Sequence, residues 1–563
     1  MAPVRYVVLA SLPALAIASA GPSTSSWLDS HLRFFDDAGN YNITIFHLND
    51  VHAHLDQFTA SGTDCHQENG KPCYGGYARI KTKVDELRGL YKDSLFVNAG
   101  DEFQGTLFYT YLGPSVIAQT INQLGFDAIT LGNHEFDGGN EPLVKWIKEL
   151  DFPMICANVN TTDKSLKEAL VPYKVFPEHQ LAIVAVTTAD IPGISNPDEG
   201  TTFLDPTETV QKTVDYVLEH EDVKRIVVMT HIGYDLDIKL AKNTRNVHLV
   251  VGGHSHTLLG NFTGAAGPYP TIVENLDGEE VFVVTASKWG QYLGKIDVAY
   301  DRQGKIVAYT GSPILMDAAI PFSEPLQSQV LEWRKQFDAI GSVVVGEAST
   351  PLDQTTCQQQ ECNLGDAIAD AMVEYRIANG GHPDGAIINA GGIRASIDAG
   401  QITKGDILQC FPFMNAVVDL KFTGKQLWDI FEGIVSQRNS AGETVTSFVQ
   451  VSKGMQITYD PSKPQGSRLV SLNVGQADPV PAIELTKEYT IATVDYIATG
   501  GKYWLSWTFW RLRTNQQRII SLDTLDVVFN NYVSAHSPVN VGLSGRISQV
   551  QSASSKRGWS TEW

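Results

Sequence analysis

Five short stretches of this chain carry side chains that bind divalent metal ions. They are "NDVH" (Asp50, His52), "NAGD" (Asp101), "GNHEFD" (Asn133, His134, Asp137), "THIGYD" (His231) and "GGHSH" (His254, His256). Carboxylate and amide oxygens and imidazole nitrogens together make a hard-to-borderline donor set. The donors Asp50, His52, Asp101, Asn133, His231, His254 and His256 are too many for one small ion. They suit two divalent ions about 3.5–4 Å apart that share a carboxylate, and Asp101 is the natural bridge. Such a pair acidifies water and neutralises phosphate oxygens, which is the chemistry of ester hydrolysis.

Each stretch follows an apolar run that reads as a strand. "ITIFHL" leads into "NDVHAH", "SLFVNA" into "GDEFQG", and "DAITL" into "GNHEFD"; "RIVVMT" leads into "HIGYD", and "VHLVV" into "GGHSH". A single His after a strand is ordinarily a hydrogen-bonded loop residue, and no one of these stretches carries an assignment alone. Five in order change that, because the carboxyl ends of strands in open α/β sheets form the ligand crevice. If the strands are parallel neighbours, the loops converge. Further strand candidates are "FPMICA" and "LAIVAV", and amphipathic stretches such as "ARIKTKVDELRGLY" alternate with the strands. The pattern is α/β with much of the sheet buried on both faces. Glu135, between the polar residues of "GNHEFD", reads as an exposed loop acid.

The rhythm breaks at "SEPLQSQVLEWRKQFDAIG". Leu326, Val330, Trp333 and Phe337 recur at helical spacing, with Pro325 in the first turn and Gly341 at the end. The spacing predicts one connecting helix. The expected organisation is a leader over residues 1–20, a metal-binding region over 40–320, a linker helix within 321–344, a second α/β region over 345–550 and a polar tail over 551–563.

The chain has 563 residues, enough for at least two domains. A formal charge of −21 argues against a nucleic-acid polymer as partner, since phosphate backbones require clustered Lys and Arg. Arg5, the apolar "YVVLASLPALAIA" and the small-residue "ASA" read as a secretory signal. The C-terminal "SSKRGWSTEW" lacks the apolar tail of a lipid-anchor signal, so the expectation is a secreted protein without a membrane anchor. Export permits disulfides, and Cys65 with Cys73 and Cys357 with Cys362 flank short loops. Cys156 and Cys410 lie in apolar runs and read as buried thiols. Asn42, Asn160 and Asn261 begin glycosylation triplets. Oligomeric state is not legible.

The five motifs, in this order, resemble the calcineurin-like metallophosphoesterases, and nearly the whole mature chain resembles the secreted two-domain 5′-nucleotidase branch. That resemblance implies a four-layer α/β/β/α N-terminal domain and a smaller C-terminal α/β substrate domain that rotates on the linker helix. It implies that Asp50, His52, Asp101 and His256 hold one metal, and Asp101, Asn133, His231 and His254 the other. Zinc is the expected ion, with manganese or cobalt as substitutes. His256 stands where many members carry an amide, and imidazole serves equally as a ligand.

His134 and Asp137 match the family's catalytic pair, in which an imidazole meets the charge that develops on transfer and a carboxylate orients it. In "AIINAGGIRASID", Asn389 is expected at the base or sugar and Arg394 at the phosphate or ribose, with Ala390 replacing a family Gly. Phe413 of "CFPFMN" and Tyr496 of "DYIATGGKYW" match the two aromatics that stack the base. Lys502 replaces an Asp that would accept from ribose hydroxyls, and Gln358 stands where a basic phosphate contact is common. The expectation is hydrolysis of nucleoside 5′-monophosphates. The alternatives are nucleoside di- or triphosphates, UDP-sugars, 2′,3′-cyclic nucleotides, or sequestration of a nucleotide without turnover.

Overall fold

The computed structural model describes residues 39–65, 72–439, 442, 444, 445, 447–498 and 523–550. The leader, the C-terminal tail and Lys502 lie outside the described residues. No helix among the described residues is long and apolar enough to cross a membrane.

Twelve strands form the paths of the two main sheets of the first region: β1 (Tyr41–Leu48), β2 (Ser94–Asn98), β3 (Ala128–Thr130), β4 (Met154–Ile155), β5 (Tyr173–Phe176), β6 (Leu181–Thr187), β7 (Arg225–His231), β8 (Leu249–Val251), β9 (Thr271–Glu274), β10 (Glu280–Val284), β11 (Tyr292–Tyr300) and β12 (Ile306–Gly311). They form two sheets, ordered β12-β11-β1-β2-β3-β4 and β9-β10-β8-β7-β6-β5. The strands that carry the metal motifs are therefore not all neighbours. β1, β2 and β3 run parallel in one sheet, and β7 and β8 run parallel in the other.

The two-residue period of a strand explains the layering. Ile43, Ile45, Leu95 and Val97 turn one way and pack against Ile183, Val227, Met229 and Val251 of the facing sheet. Phe46, Leu48 and Phe96 turn the other way, onto a helical layer that includes Tyr77, Ile80 and Val84 of α1 (Tyr77–Leu90). Across the molecule, Val184 and Val228 meet Val210, Val214 and Val217 of the helix Pro206–His220. This is the α/β/β/α stack, and it leaves both sheets buried on both faces.

The connector departs from a single helix. α2 (Glu324–Arg334) ends before a separate turn, Asp338–Gly341. The guanidinium of Arg334 is buried against Asp56 Oδ2 at 3.1 Å and Asp64 Oδ2 at 2.6 Å, and reaches Asp338 at 3.2 Å. Phe337 turns its ring into Phe108 at 5.1 Å. Leu326, Val330 and Phe337 join the core of the first region, so the connector is anchored there.

In the second region, α3 (Asn363–Ala378) packs on a sheet ordered β14-β16-β13-β15, from β13 (Gly385–Asn389), β14 (Val417–Thr423), β15 (Val449–Val451) and β16 (Glu488–Val494). Both expected disulfides are present, and Cys156 and Cys410 are buried free thiols. Asn160 and Asn261 are exposed, whereas Asn42 is half-buried within β1.

Candidate metal centre

The ends of β1, β2, β3, β7 and β8 meet where the edges of the two sheets face each other. Three overlapping groups form there: Asp50, His52 and His256; His52, Asp101 and His134; and Asp101, His231 and His254. Within each group the ligand atoms lie within 4.8 Å of one another. Asp101 and His52 each join two groups, and the two oxygens of the Asp101 carboxylate suit it to bridge a pair of ions. His231 Nε2 stands 3.1 Å from Asp101 Oδ2, and His52 Nε2 stands 3.0 Å from His256 Nε2.

Backbone geometry aims these side chains. Asp50, His52, Asp101, His254 and His256 all have φ between 52° and 82°, a left-handed conformation that costs about 1–3 kcal/mol each without glycine. Surrounding hydrogen bonds enforce it. The amides of Asp50 and His52 donate to the carbonyls of Gly100 and Asp101 at 2.9 Å, and His254 N donates to Asp50 Oδ2 at 2.9 Å. His231 Nδ1 pairs with the Ala99 carbonyl at 2.7 Å, which leaves Nε2 toward Asp101. Gly132 allows close approach, because a Cβ there would fall 2.1 Å from Asp101 Oδ1.

The residues fit divalent ions. Asn133 Oδ1 is buried and has no hydrogen-bond partner, and the buried His231 Nε2 faces only the Asp101 carboxylate, at 3.1 Å. Buried polar atoms are otherwise paired, so orphans among carboxylates and imidazoles mark a cation site. Burial, then repulsion from His231, pushes His254 down to about 4, which keeps its imidazole available as a neutral donor.

His134 Nδ1 lies 2.7 Å from Asp137 Oδ2. Burial opposes protonation of this ring, but Asp137 and Asp101 outweigh it and raise its pKa. Glu135 corrects the expectation of a solvated acid. It is 1% exposed, and its carboxylate accepts amides of Gly132 at 2.6 Å, Glu102 at 2.7 Å, and Asp101 and Phe103 at 3.1 Å. It clamps the Asp101 loop onto the His134 loop.

The second region reaches this centre. Arg394 Nη2 stands 3.3 Å from His52 Nε2, and the ring of Phe413 stacks on His134 with centroids 5.7 Å apart. Tyr496 Oη donates to the Gly193 carbonyl at 2.9 Å. Asn389 ends β13 beside Gly392, two residues before Arg394. Ser61 Oγ donates to Asp398 Oδ1 at 2.6 Å, a further link between the regions. Gln358 accepts the Phe448 amide at 3.2 Å, so this amide side chain braces the loop next to Gly391.

Two groups had no motif to announce them. Lys288 follows β10 between Ser287 and Trp289, both left-handed, and its ammonium rests 3.9 Å over the Trp289 ring. Burial and then Arg394 push its pKa down to about 8. Ser195, in the loop after β6, donates to Asp137 Oδ1 at 2.6 Å. The strand-end rule that located the metal loops would have found that loop had it been applied to "LAIVAV".

A calcineurin-like phosphoesterase family model matches residues 43–258, and a 5′-nucleotidase C-terminal domain model matches residues 343–507. The 5′-nucleotidase of Homo sapiens is 32% identical over 540 residues, covering 91% of each chain. An apyrase of Tabanus yao is 31% identical, covering 97% of this chain and 99% of the relative. Among solved structures, a 5′-nucleotidase precursor from Thermus thermophilus matches with a TM-score of 0.82 and 34% identity, over 91% of this chain and all of that one. Both halves of the chain are thus accounted for in one protein type, and the chain belongs to the 5′-nucleotidase family of metal-dependent phosphoester hydrolases.

Proposed function

We propose that this chain is a secreted 5′-nucleotidase that releases phosphate from nucleoside 5′-monophosphates. The observation that carries the reading is the meeting of the two regions. Arg394 and Phe413 of the second stand directly against His52 and His134 of the first. A substrate phosphate at the metal centre would thus have a guanidinium beside it and an aromatic ring next to it for a base.

Asp50, His52, Asp101 and His256 would hold one ion, and Asp101, Asn133, His231 and His254 the other, with zinc as the expected metal. When bound, the ions supply an acidified water and Lewis-acid neutralisation of the phosphate oxygens. Arg394 adds a fixed fork of N–H donors for the phosphate. His134 would donate a proton from Nε2 to the leaving ribose oxygen, with Asp137 on Nδ1 fixing the ring and, together with Asp101, favouring its protonated form. Phe413 and Tyr496 take the base, and Asn389 the base or sugar. The signal-like leader supports export, and the exposed Asn160 and Asn261 suit glycosylation.

Purified protein, stripped of metal and reconstituted with zinc, manganese or cobalt, is offered AMP, ADP, ATP, UDP-glucose, cyclic nucleotides and a sugar phosphate. AMP is expected to turn over fastest, and only with metal restored. Preference for another ester in the panel would move the assignment within the family, the direction in which Lys502 in place of Asp points. Absence of metal-restored phosphate release from all of them would defeat the reading.

A further inference from the structure

The carboxylate that orients His134 is itself held from behind. Asp137 Oδ2 faces His134 Nδ1, while Asp137 Oδ1 accepts Ser195 Oγ at 2.6 Å. The Asp137 carbonyl accepts Asn196 Nδ2 at 3.2 Å. Ser195 closes the one-turn helix Ile191–Ile194, and its amide donates to the Ile191 carbonyl at 2.8 Å. Ile191 is fully buried in the core of the first region, so the turn has a fixed base. At the top of the same turn the Gly193 carbonyl accepts Tyr496 Oη from the second region, at 2.9 Å. A continuous series of contacts thus runs from Tyr496 through Gly193, Ser195 and Asp137 to His134.

The terminal torsion of an aspartate is broad, so a carboxylate tied through one oxygen can swing. A second tie through the other oxygen removes that freedom, and a hydroxyl donating to a carboxylate at this distance is a strong, charge-assisted bond. We propose that Ser195 is a positioning residue for the His134–Asp137 pair, and that seating of Tyr496 on Gly193 makes this positioning depend on engagement of the second region. The proposal rests on the 5′-nucleotidase reading with His134 as proton donor. It assigns the loop after β6 a role in turnover, and it makes proton delivery most effective when the substrate-bearing region is docked.

Leaving-group dependence separates positioning from mere support. The ribose oxygen of AMP leaves as a poor anion and needs the proton, whereas p-nitrophenolate leaves without one. With metal-loaded enzyme, Ser195→Ala is expected to lower kcat on AMP by about 10–100-fold, at or below the lower end of what a general acid contributes, since the acid itself stays in place. KM, metal content and turnover of p-nitrophenyl phosphate stay within about twofold. Ser195→Thr, which keeps the hydroxyl, restores most of the loss. In an Asp137→Asn background, Ser195→Ala adds almost nothing, since both changes act through one carboxylate. Tyr496→Phe slows AMP turnover by a smaller factor and adds nothing to Ser195→Ala.

Equal losses on both esters, or lost metal, would make Ser195 a structural residue and overturn the proposal. Unchanged kcat in Ser195→Ala would overturn it as well, and additive effects of Tyr496→Phe would remove the coupling. Wild-type protein that cleaves p-nitrophenyl phosphate but not AMP would instead refute the 5′-nucleotidase reading, and the proposal with it.

Discussion

The two regions hold their working residues in opposite ways. In the first, five candidate metal ligands (Asp50, His52, Asp101, His254 and His256) sit on left-handed backbone, cross-linked by amide–carbonyl bonds and by the Glu135 carboxylate. In the second, Phe413 is half-buried beside an exposed Met414, and Arg394 is tied within its own loop only by a 3.4 Å contact to the Gly391 carbonyl. Strain persists only where its surroundings over-determine it. In the proposed reading, the difference places the metal chemistry on the rigid side and the choice of ester on the adaptable one.

The sharpest way to break that contrast is at Asp101. Asp101→Asn removes the carboxylate shared by two donor groups, and kcat is expected to fall on the order of 10³-fold on every ester, with reduced metal content by elemental analysis. Residual activity near wild type would show that the rigid side does not carry the chemistry. Glu135→Gln tests the clamp. An amide cannot serve four N–H donors as a carboxylate does, so metal affinity measured by competition with a chelator is expected to drop about 10–100-fold. Undiminished affinity would mean the loops hold their shape without it.

On the adaptable side, Phe413→Ala is expected to raise KM for AMP by about tenfold, the loss of one stacking partner, and to leave p-nitrophenyl phosphate unchanged. Equal damage to both substrates would place Phe413 in support of His134 rather than at the base.

The smallest effect lies away from the centre. Asp366 is fully buried, and its nearest cation is Arg546 Nε at 3.4 Å. Burial raises its pKa to about 8, against the opposing charge of Arg546. A carboxyl held protonated by the fold stabilises fully below its unfolded pKa, near 4, and loses that contribution as pH rises toward 8. Asp366→Asn should therefore raise Tm by about 2–4 °C at pH 8 and by progressively less toward pH 4. A difference that grows toward acid would reverse the sign and sink the assignment.

Much of the metal centre was legible because its residues follow short apolar runs, and Gly beside them signals a tight exit. The sheet partnership was less so. Nothing in "VVMT" or "HLVV" says that β7 and β8 belong to a sheet facing β1 to β3, since a strand face covered by another sheet is as apolar as one covered by a helix. Glu135 was misread for a physical reason. Three of its four amide donors, at Asp101, Glu102 and Phe103, lie 32–34 residues away, and a local reading of "GNHEFD" contains only Gly132. The connector's helical period continues past Arg334, yet Arg334 is drawn into Asp56 and Asp64, and the chain turns before Phe337 is buried. Tertiary partners overrode the pattern there.

The Glu135 contact has a further meaning. Successive amides at Asp101, Glu102 and Phe103 form a concave anion receptor of the type that cradles phosphate in other folds. Here the receptor is already filled by the protein's own carboxylate. The loop therefore offers a substrate no backbone cradle, and in the proposed reading phosphate recognition falls to the ions and to Arg394. An enzyme built this way has an internal plug in place of a fallback, and without its metals only Arg394 would remain to meet the phosphate.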